Sequence, residues 1–194
     1  MHRLTSEHWN VAKRLLRYLC GTLNPGLFLH KANTLSLHAF SDVDWAGNKD
    51  DYTSTSAYIF YLGRHPISWS SKKHCTVARS SIEAEYRSIA ATTSEINWIC
   101  SLLIELGVTL PTPPIIYCDN VGATYLYSNP VFHSRMKHVA IDYHFIRDQV
   151  QSSALRVTHV SSADQLVDVL TKPLPRSCFQ ELWVKIGISL RAPS

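Results

Sequence analysis

Apolar residues recur along this chain first at helical spacing, then in short alternating or continuous runs, then at helical spacing again. Trp9, Ala12, Leu15, Leu16 and Leu19 mark one side of a helix in SEHWNVAKRLLRYLCGTL, with Gly21 as its stop. Asn24-Pro25-Gly26 then turns the chain, so this helix reads as a lead-in set apart from the remainder of the protein. TLSLHAFSD predicts a strand, and SAYIFYL and ISWSS predict a hairpin turning through Gly63-Arg64-His65-Pro66. A long helix is predicted from about Ser81 to Leu106, closed by Gly107. It opens on Ser80 with Glu83 three residues later, the spacing of a capping box. PPIIYCD is a short buried strand with a short helix, NVGATYLYS, after it. KHVAIDYHFIRDQV reads as helix, SALRVTHV as strand, ADQLVDVLTK as a helix closed by Pro173, and CFQELWVKIGI as a last helix. Three early strands and then helix–strand alternation predict an α/β domain, a mixed sheet with helices packed on its faces.

Composition narrows the class. With 194 residues, 45% apolar and 18% charged, the chain suits one domain with a real core and short flanking pieces. No run approaches a membrane span. The opening MHRLTSEHWNVAKRLL lacks the apolar stretch and cleavage site of a secretory signal, which predicts an intracellular protein that is not secreted. The five cysteines, Cys20, Cys75, Cys100, Cys118 and Cys178, are odd in number, scattered and never in C-x-x-C spacing. That argues against a disulfide framework or a cysteine zinc site and predicts reduced, structural thiols. A formal net charge of +4 leans towards an anionic partner without choosing one.

The acids carry the chemistry. Asp42 and Asp44 stand at the end of an apolar run, in AFSDVDWAGN, where a turn and a metal site both account for them. On the long helix Ile82, Ile89, Ile96, Ile99, Leu103 and Leu106 form one apolar stripe. Glu85 falls on that stripe and Glu83 does not. A carboxylate on a buried face costs several kcal/mol, of order, unless a basic partner, water or a cation compensates it. Asp119 repeats the pattern of Asp42, a strand ending on Asp before a helix, where capping is the alternative role. Ligands in sheets of this class gather beyond the carboxyl ends of strands. Asp164 and Asp168 lie one helical turn apart in the predicted ADQLVDVLTK helix, and spacing does not choose between them. His159 ends the strand before that helix.

Four carboxylates without cysteine ligands suit hard cations such as Mg²⁺ or Mn²⁺. Two such ions about 4 Å apart activate a water and stabilise a leaving oxygen in phosphodiester cleavage. The anionic substrate of that reaction agrees with the basic balance, and a neighbouring His has a pKa suited to moving a proton.

Four segments extend this reading: SDVDWAGNKDDYTSTSAYIFYLG, PISWSSKKHCTVARSSIEAEYRSIA, YCDNVGATYLYSNPVFHSRMKHVAIDYHFIRDQV and HVSSADQLVDVLTKPLP. Together they resemble the ribonuclease H domain of copia-type retrotransposon Pol polyproteins, over nearly everything from Leu35 to Pro175. The resemblance implies a ribonuclease H-like fold with a five-stranded mixed sheet flanked by helices. It divides the chain into 1–33, a lead-in like the connection from reverse transcriptase, 34–176, the ribonuclease H domain, and 177–194, a C-terminal helix and tail. It implies hydrolysis of the RNA strand of RNA–DNA hybrids with two Mg²⁺ (or Mn²⁺). Carried over by position, the metal-binding acids are Asp42, Glu85, Asp119 and Asp168, and His159 takes roughly the place of the family's mobile histidine. Ile82 stands where Thr is usual, Ala57 where Gly is usual, and Met136 interrupts a stretch that normally reads Arg-Thr-Lys-His; none of these removes a metal ligand.

The same resemblance suggests substrate-side positions. It places Asp44 and the backbone and hydroxyl groups near Ser81 and Asn120 on the substrate side; in the sequence, Lys72, Lys73, His74 and Arg79 precede the helix that bears Glu85, where they would hold phosphates or form a solvated loop. Arg135, Lys137 and His138 form a second basic cluster, and Trp45, Trp69 and Trp98 are expected in or near the core. Recognition of backbone and sugar, including the RNA 2′-hydroxyl, is expected, with little base specificity. The expected partners are an RNA–DNA hybrid and the reverse transcriptase domain of the same polyprotein, in a cytoplasmic particle or the nucleus, with no membrane. The competing readings are a catalytically idle module that binds hybrid or protein, and a polynucleotidyl transferase of integrase type.

Overall fold

The computed structural model describes residues 5–128 and 140–189. The basic cluster of Arg135, Lys137 and His138 lies outside the described residues. Helix α1 (Ser6–Gly21) is capped by Thr5, whose side chain accepts the His8 amide. No residue of α1 is buried, and Trp9, Leu15, Leu16 and Leu19 are exposed. The apolar spacing therefore marked a true helix, but not a face packed on this domain.

A two-residue strand, β1 (Gly26–Leu27), comes next, and then β2 (Leu37–Asp44), β3 (Thr55–Leu62) and β4 (His65–Lys73) form an antiparallel meander. The hairpin between β3 and β4 turns on Gly63 and Arg64 alone, two residues shorter than the sequence predicted, because His65 and Pro66 already pair with Leu62 and Tyr61. Gly63 takes φ +60, and a Cβ there would collide with Asn33 Oδ1 and the Thr34 carbonyl. Asn33 plugs this turn, donating to the Leu62 carbonyl at 2.7 Å and accepting the Arg64 amide at 3.0 Å.

Helix α2 (Ser81–Glu105) crosses to β5 (Ile115–Cys118), and then come α3 (Val121–Ser128), α4 (Ala140–Gln151) and β6 (Arg156–His159). The main sheet has the order β4-β3-β2-β5-β6, with β2, β5 and β6 parallel. The expected five-stranded mixed sheet is present. Beyond β6 the predicted single helix is two pieces, a 3₁₀ turn (Ser162–Asp164) and the four-residue α5 (Asp168–Thr171). Gln165 takes an extended backbone between them and is buried, donating its side-chain amide to the Ser41 carbonyl at 3.0 Å. Anchoring that residue under β2 breaks the helix. Helix α6 (Arg176–Ile186) and β7 (Ile188–Ser189) finish the described chain, β7 pairing with β1.

Two cores flank the sheet. On one face Leu37, Ala39, Phe60, Ile116 and Cys118 pack against Tyr86, Ile89, Ile96 and Ile99 of α2 and Tyr143 and Ile146 of α4. On the other, Ala57, Ile59 and Tyr61 pack against Leu166, Val167, Leu182 and Ile186. The α2 stripe ends sooner than its spacing suggested, since Leu106 is exposed. Trp45, Trp69 and Trp98 are exposed rather than core: Trp69 lies on the edge strand, Trp98 on the outer side of α2, and Trp45 comes just after β2, its indole donating to the Ala78 carbonyl.

Ile89, fully buried between α2 and the sheet, sets a test of this core. Ile89→Ala is expected to cost about 2–5 kcal/mol in urea unfolding, and Ile141→Ala, at an exposed position, less than about 0.5 kcal/mol. Equal costs would contradict the packing described.

Candidate metal centre

Side chains alternate across β2. Leu37, Ala39, Ser41 and Val43 face α2, and Phe40 and Asp42 face the α5 side. Strand β2 does not end at Asp42, as the sequence suggested; it runs on to Asp44, with Asp42 opposite Ala57 of β3. Its other neighbour, β5, stops at Cys118. The parallel register pairs Phe40 with Tyr117, so two residues further on Asp119 comes level with Asp42 just where β5 gives out. Both acids thus stand at the carboxyl ends of two neighbouring parallel strands, where ligands gather in sheets of this class.

Helix α2 delivers the third acid. Ser88 donates to the Asp42 carbonyl at 3.3 Å and shares a 2.9 Å hydrogen bond with Ser41, and Thr92 donates to Ser41 at 3.2 Å. These buried hydroxyls pin α2 to β2 one turn beyond Glu85 and fix where its carboxylate comes down. Glu85 is buried, and the Cys118 thiol donates to its Oε2 at 3.7 Å. Glu83 is buried too, contrary to the stripe argument. It turns the other way, taking Arg87 at 2.7 Å and the Arg79 amide at 2.9 Å. The capping box is therefore half formed: Ser80 accepts the Glu83 amide, but Glu83 reaches back to residue 79.

Asp168 opens α5 and completes the group. One oxygen each of Asp42, Asp119 and Asp168 lies within 4.8 Å of the other two, and Glu85, Cys118 and Asp119 form a second such set. Asp119 belongs to both, so the two sets meet at that residue. Asp164, which the helical spacing placed on the same face as Asp168, points elsewhere and pairs with Lys185 at 2.6 Å in the open. The break at Gln165 separates the two.

The surroundings hold these acids in place. Thr171 Oγ1 donates to Asp42 Oδ2 at 2.5 Å, and Ser162 Oγ donates to Asp119 Oδ2 at 3.0 Å. Lys172 Nζ stands 2.8 Å from Asp168 Oδ1 and 3.2 Å from Asp42 Oδ2. Lys172, Thr171 and Ser162 were not singled out from sequence; the four-residue spacing of Asp168 and Lys172 was the available signal. Burial pushes Glu85 well above the usual carboxylate range, and Asp42 and Asp119 push it further. Burial also raises Asp168, to about 6, against the opposing hydrogen bond from Lys172. Asp44 is raised by burial, and close backing by Gly47 leaves no room for a Cβ there. Oxygen donors that repel one another at this range are a fit for a hard divalent cation, whose charge would offset the repulsion.

The other predicted positions lie around this cluster, not in it. His159 is exposed at the end of β6, opposite Cys118, and is not among the groups brought within ligand distance. Asn120 Oδ1 accepts the Ala123 amide at the start of α3, and Ser81 opens α2. Lys72 and Lys73 end β4, level with Val43 and Asp44 but two strands away, about 10 Å. Lys73 pairs with Asp51 at 2.8 Å, His74 meets Ser56 Oγ at 2.8 Å, and Arg79 is exposed.

Comparison with known proteins agrees with this geometry. The chain is 69% identical over 194 residues, its whole length, to the retrovirus-related Pol polyprotein from transposon RE1 of Arabidopsis thaliana. It is 68% identical over the same length to that from transposon RE2 of the same plant. It is 37% identical over 174 residues, 90% of the chain, to that from transposon TNT 1-94 of Nicotiana tabacum. It spans 13% of the length of each. No family model matches the chain. Among solved structures it resembles LC11-RNase H1 in complex with RNA/DNA hybrid, with a TM-score of 0.54 at 8% identity over 70% of this chain and 94% of that one. A second structure of LC11-RNase H1 gives 0.54 at 9% identity over 76% and 98%. At such identity the likeness is one of fold.

The Asp168 carboxyl carries a pH signature. Its folded pKa of about 6 lies above the unfolded value, so the folded state binds the extra proton, and that contribution is lost as pH rises through 6. In EDTA this carboxyl is expected to take about 1–2 kcal/mol from stability between pH 5 and 7, with the raised Glu85 acting in the same direction, and Asp168→Asn to reduce the slope. An unchanged slope in the variant, monitored by thermal unfolding, would refute the attribution.

Proposed function

We propose, for a chain of ribonuclease H fold whose sequence belongs with the copia-type Pol polyproteins, a metal-dependent endonuclease that hydrolyses the RNA strand of RNA–DNA hybrids. The observation that carries this reading is the convergence of Asp42, Glu85, Asp119 and Asp168 at the carboxyl ends of β2 and β5. Asp42, Asp119 and Asp168 would hold one face of a divalent-cation pair, and Glu85 with Asp119 the other. When bound, Mg²⁺ or Mn²⁺ supplies an activated water and stabilises the leaving oxygen. The chain's own part is to fix the ligands before substrate arrives. Thr171 and Ser162 orient Asp42 and Asp119, and the hydroxyl ladder from Ser41 to Thr92 sets the height of Glu85.

The hybrid would lie across this end of the sheet. Asp44 at the end of β2, Asn120 next to Asp119 and Ser81 at the start of α2 would contact it, and Lys72 and Lys73, about two strands out, with Arg79 just before α2, would meet neighbouring phosphates. His159, exposed on the β6 side, would serve proton transfer during product release. The uncovered apolar residues of α1 suit contact with another part of such a polyprotein, the reverse transcriptase domain in this reading. A cytoplasmic particle or the nucleus is the matching setting. Among the described residues no helix is long and apolar enough to cross a membrane.

Purified protein with Mg²⁺ or Mn²⁺ is expected to cut labelled RNA in a hybrid, but not single-stranded RNA or double-stranded DNA, and EDTA is expected to stop it. Asp42→Asn and Asp119→Asn should each lower cleavage by at least about a hundredfold while leaving the circular dichroism spectrum unchanged, since a lost ligand costs more than a lost outer-shell partner. Retained cutting in either variant overturns the site. Salt-sensitive hybrid binding by folded wild-type protein, with no cleavage at any cation concentration, overturns the activity in favour of a binding module.

A further inference from the structure

We propose that Lys172 is a resident counter-ion of the acid cluster, holding the place between Asp42 and Asp168 and competing there with divalent cations. The inference rests on the reading of these acids as cation ligands, and it concerns what sets their affinity.

The ammonium is placed by the local sequence. Asp168-Val169-Leu170-Thr171 makes one turn of helix, and Pro173 disfavours helical backbone at the residue before it. Lys172 accordingly leaves the helix in an extended conformation, φ −125 and ψ 145. Its Nζ lies 2.8 Å from Asp168 Oδ1, 3.2 Å from Asp42 Oδ2 and 3.4 Å from Asp42 Oδ1. Asp42 is 1% exposed, and its other side-chain hydrogen bond comes from Thr171, the residue before. One short segment therefore supplies an acid of the cluster, the hydroxyl on Asp42 and the cation shared by both acids.

That place cannot be held twice. A Mg²⁺ ion binds carboxylate oxygen at about 2.1 Å, so an ion on the facing oxygens of Asp42 and Asp168 would lie within a few ångströms of Nζ. Contact at that range sets a charge of +1 against +2. The lysine side chain is 32% exposed on a long flexible stem, so it is free to withdraw towards solvent. The effect is twofold. Without a divalent ion the ammonium keeps the two mutually repelling acids Asp42 and Asp168 together; with one, it must be displaced, which weakens cation binding.

Calorimetric titration of Mn²⁺ into nucleic-acid-free wild-type protein, Lys172→Met and Lys172→Arg tests this. Lys172→Met is expected to bind Mn²⁺ about tenfold more tightly than wild type or better, because a like charge has gone, and Lys172→Arg to stay within about threefold. In EDTA, Lys172→Met should melt below wild type and gain more from added Mn²⁺. Unchanged affinity in Lys172→Met, or equal tightening in Lys172→Arg, overturns the role of Lys172 while leaving the cation site standing. Absence of Mn²⁺ binding in wild type and Lys172→Met alike overturns both. Independently of any variant, the Lys172 Cε resonance of wild-type protein should move as Mg²⁺ saturates; a static signal while other resonances report binding rejects the proposal.

Discussion

Like charge gathered in a small volume is the constraint on which the arrangement of this protein turns. Two carboxylates 4.8 Å apart repel by about 3–4 kcal/mol at an effective dielectric of about 20, and Asp42, Asp119 and Asp168 stand within that range of one another. Set against a typical domain stability of about 5–15 kcal/mol, this is a large local penalty. With burial as the larger cause, it helps raise the proton affinity of Glu85 and Asp168, and it shows in the partners drawn to the acids: a hydroxyl on Asp42, another on Asp119, and one ammonium shared by Asp42 and Asp168.

The fold meets that cost with rigid elements rather than loops. Parallel pairing of β2 with β5 sets Asp42 level with Asp119, and β5 ends one residue before it. On one face, buried hydroxyls lock α2 to β2; on the other, Gln165 ties the chain before α5 to the same strand through the Ser41 carbonyl. Residue 41 thus anchors both layers that bring acids to the site. Its immediate neighbour, Asp42, is one of them.

Much of this was legible in the chain. Short alternating or continuous apolar runs located β2 to β4, the α2 stripe located Glu85, and Asp119 was marked by a strand breaking off on an acid. Errors came where tertiary contacts override local pattern. Glu83 lies off the stripe yet is buried, its charge paired by Arg87 and its other oxygen taking the Arg79 amide. The predicted helix through Asp164 and Asp168 is broken by one buried glutamine. The apolar residues of α1 and the three tryptophans lie exposed, since periodicity reports which residues share a face and not whether anything covers it.

The sequence by itself determined the order of the main strands and helices and marked Asp42, Glu85 and Asp119 as candidate ligands, leaving Asp164 and Asp168 open on spacing until the family resemblance favoured Asp168, because propensity, period and motif are properties of neighbours along the chain. Only the tertiary structure decided that Asp168 and not Asp164 faces Asp42, that Asp119 joins two ligand sets, and that Lys172 stands among them. Those facts depend on strand register and on where a helix is interrupted. Both are set by contacts between residues as far apart as Ser41 and Gln165, which no local pattern encodes.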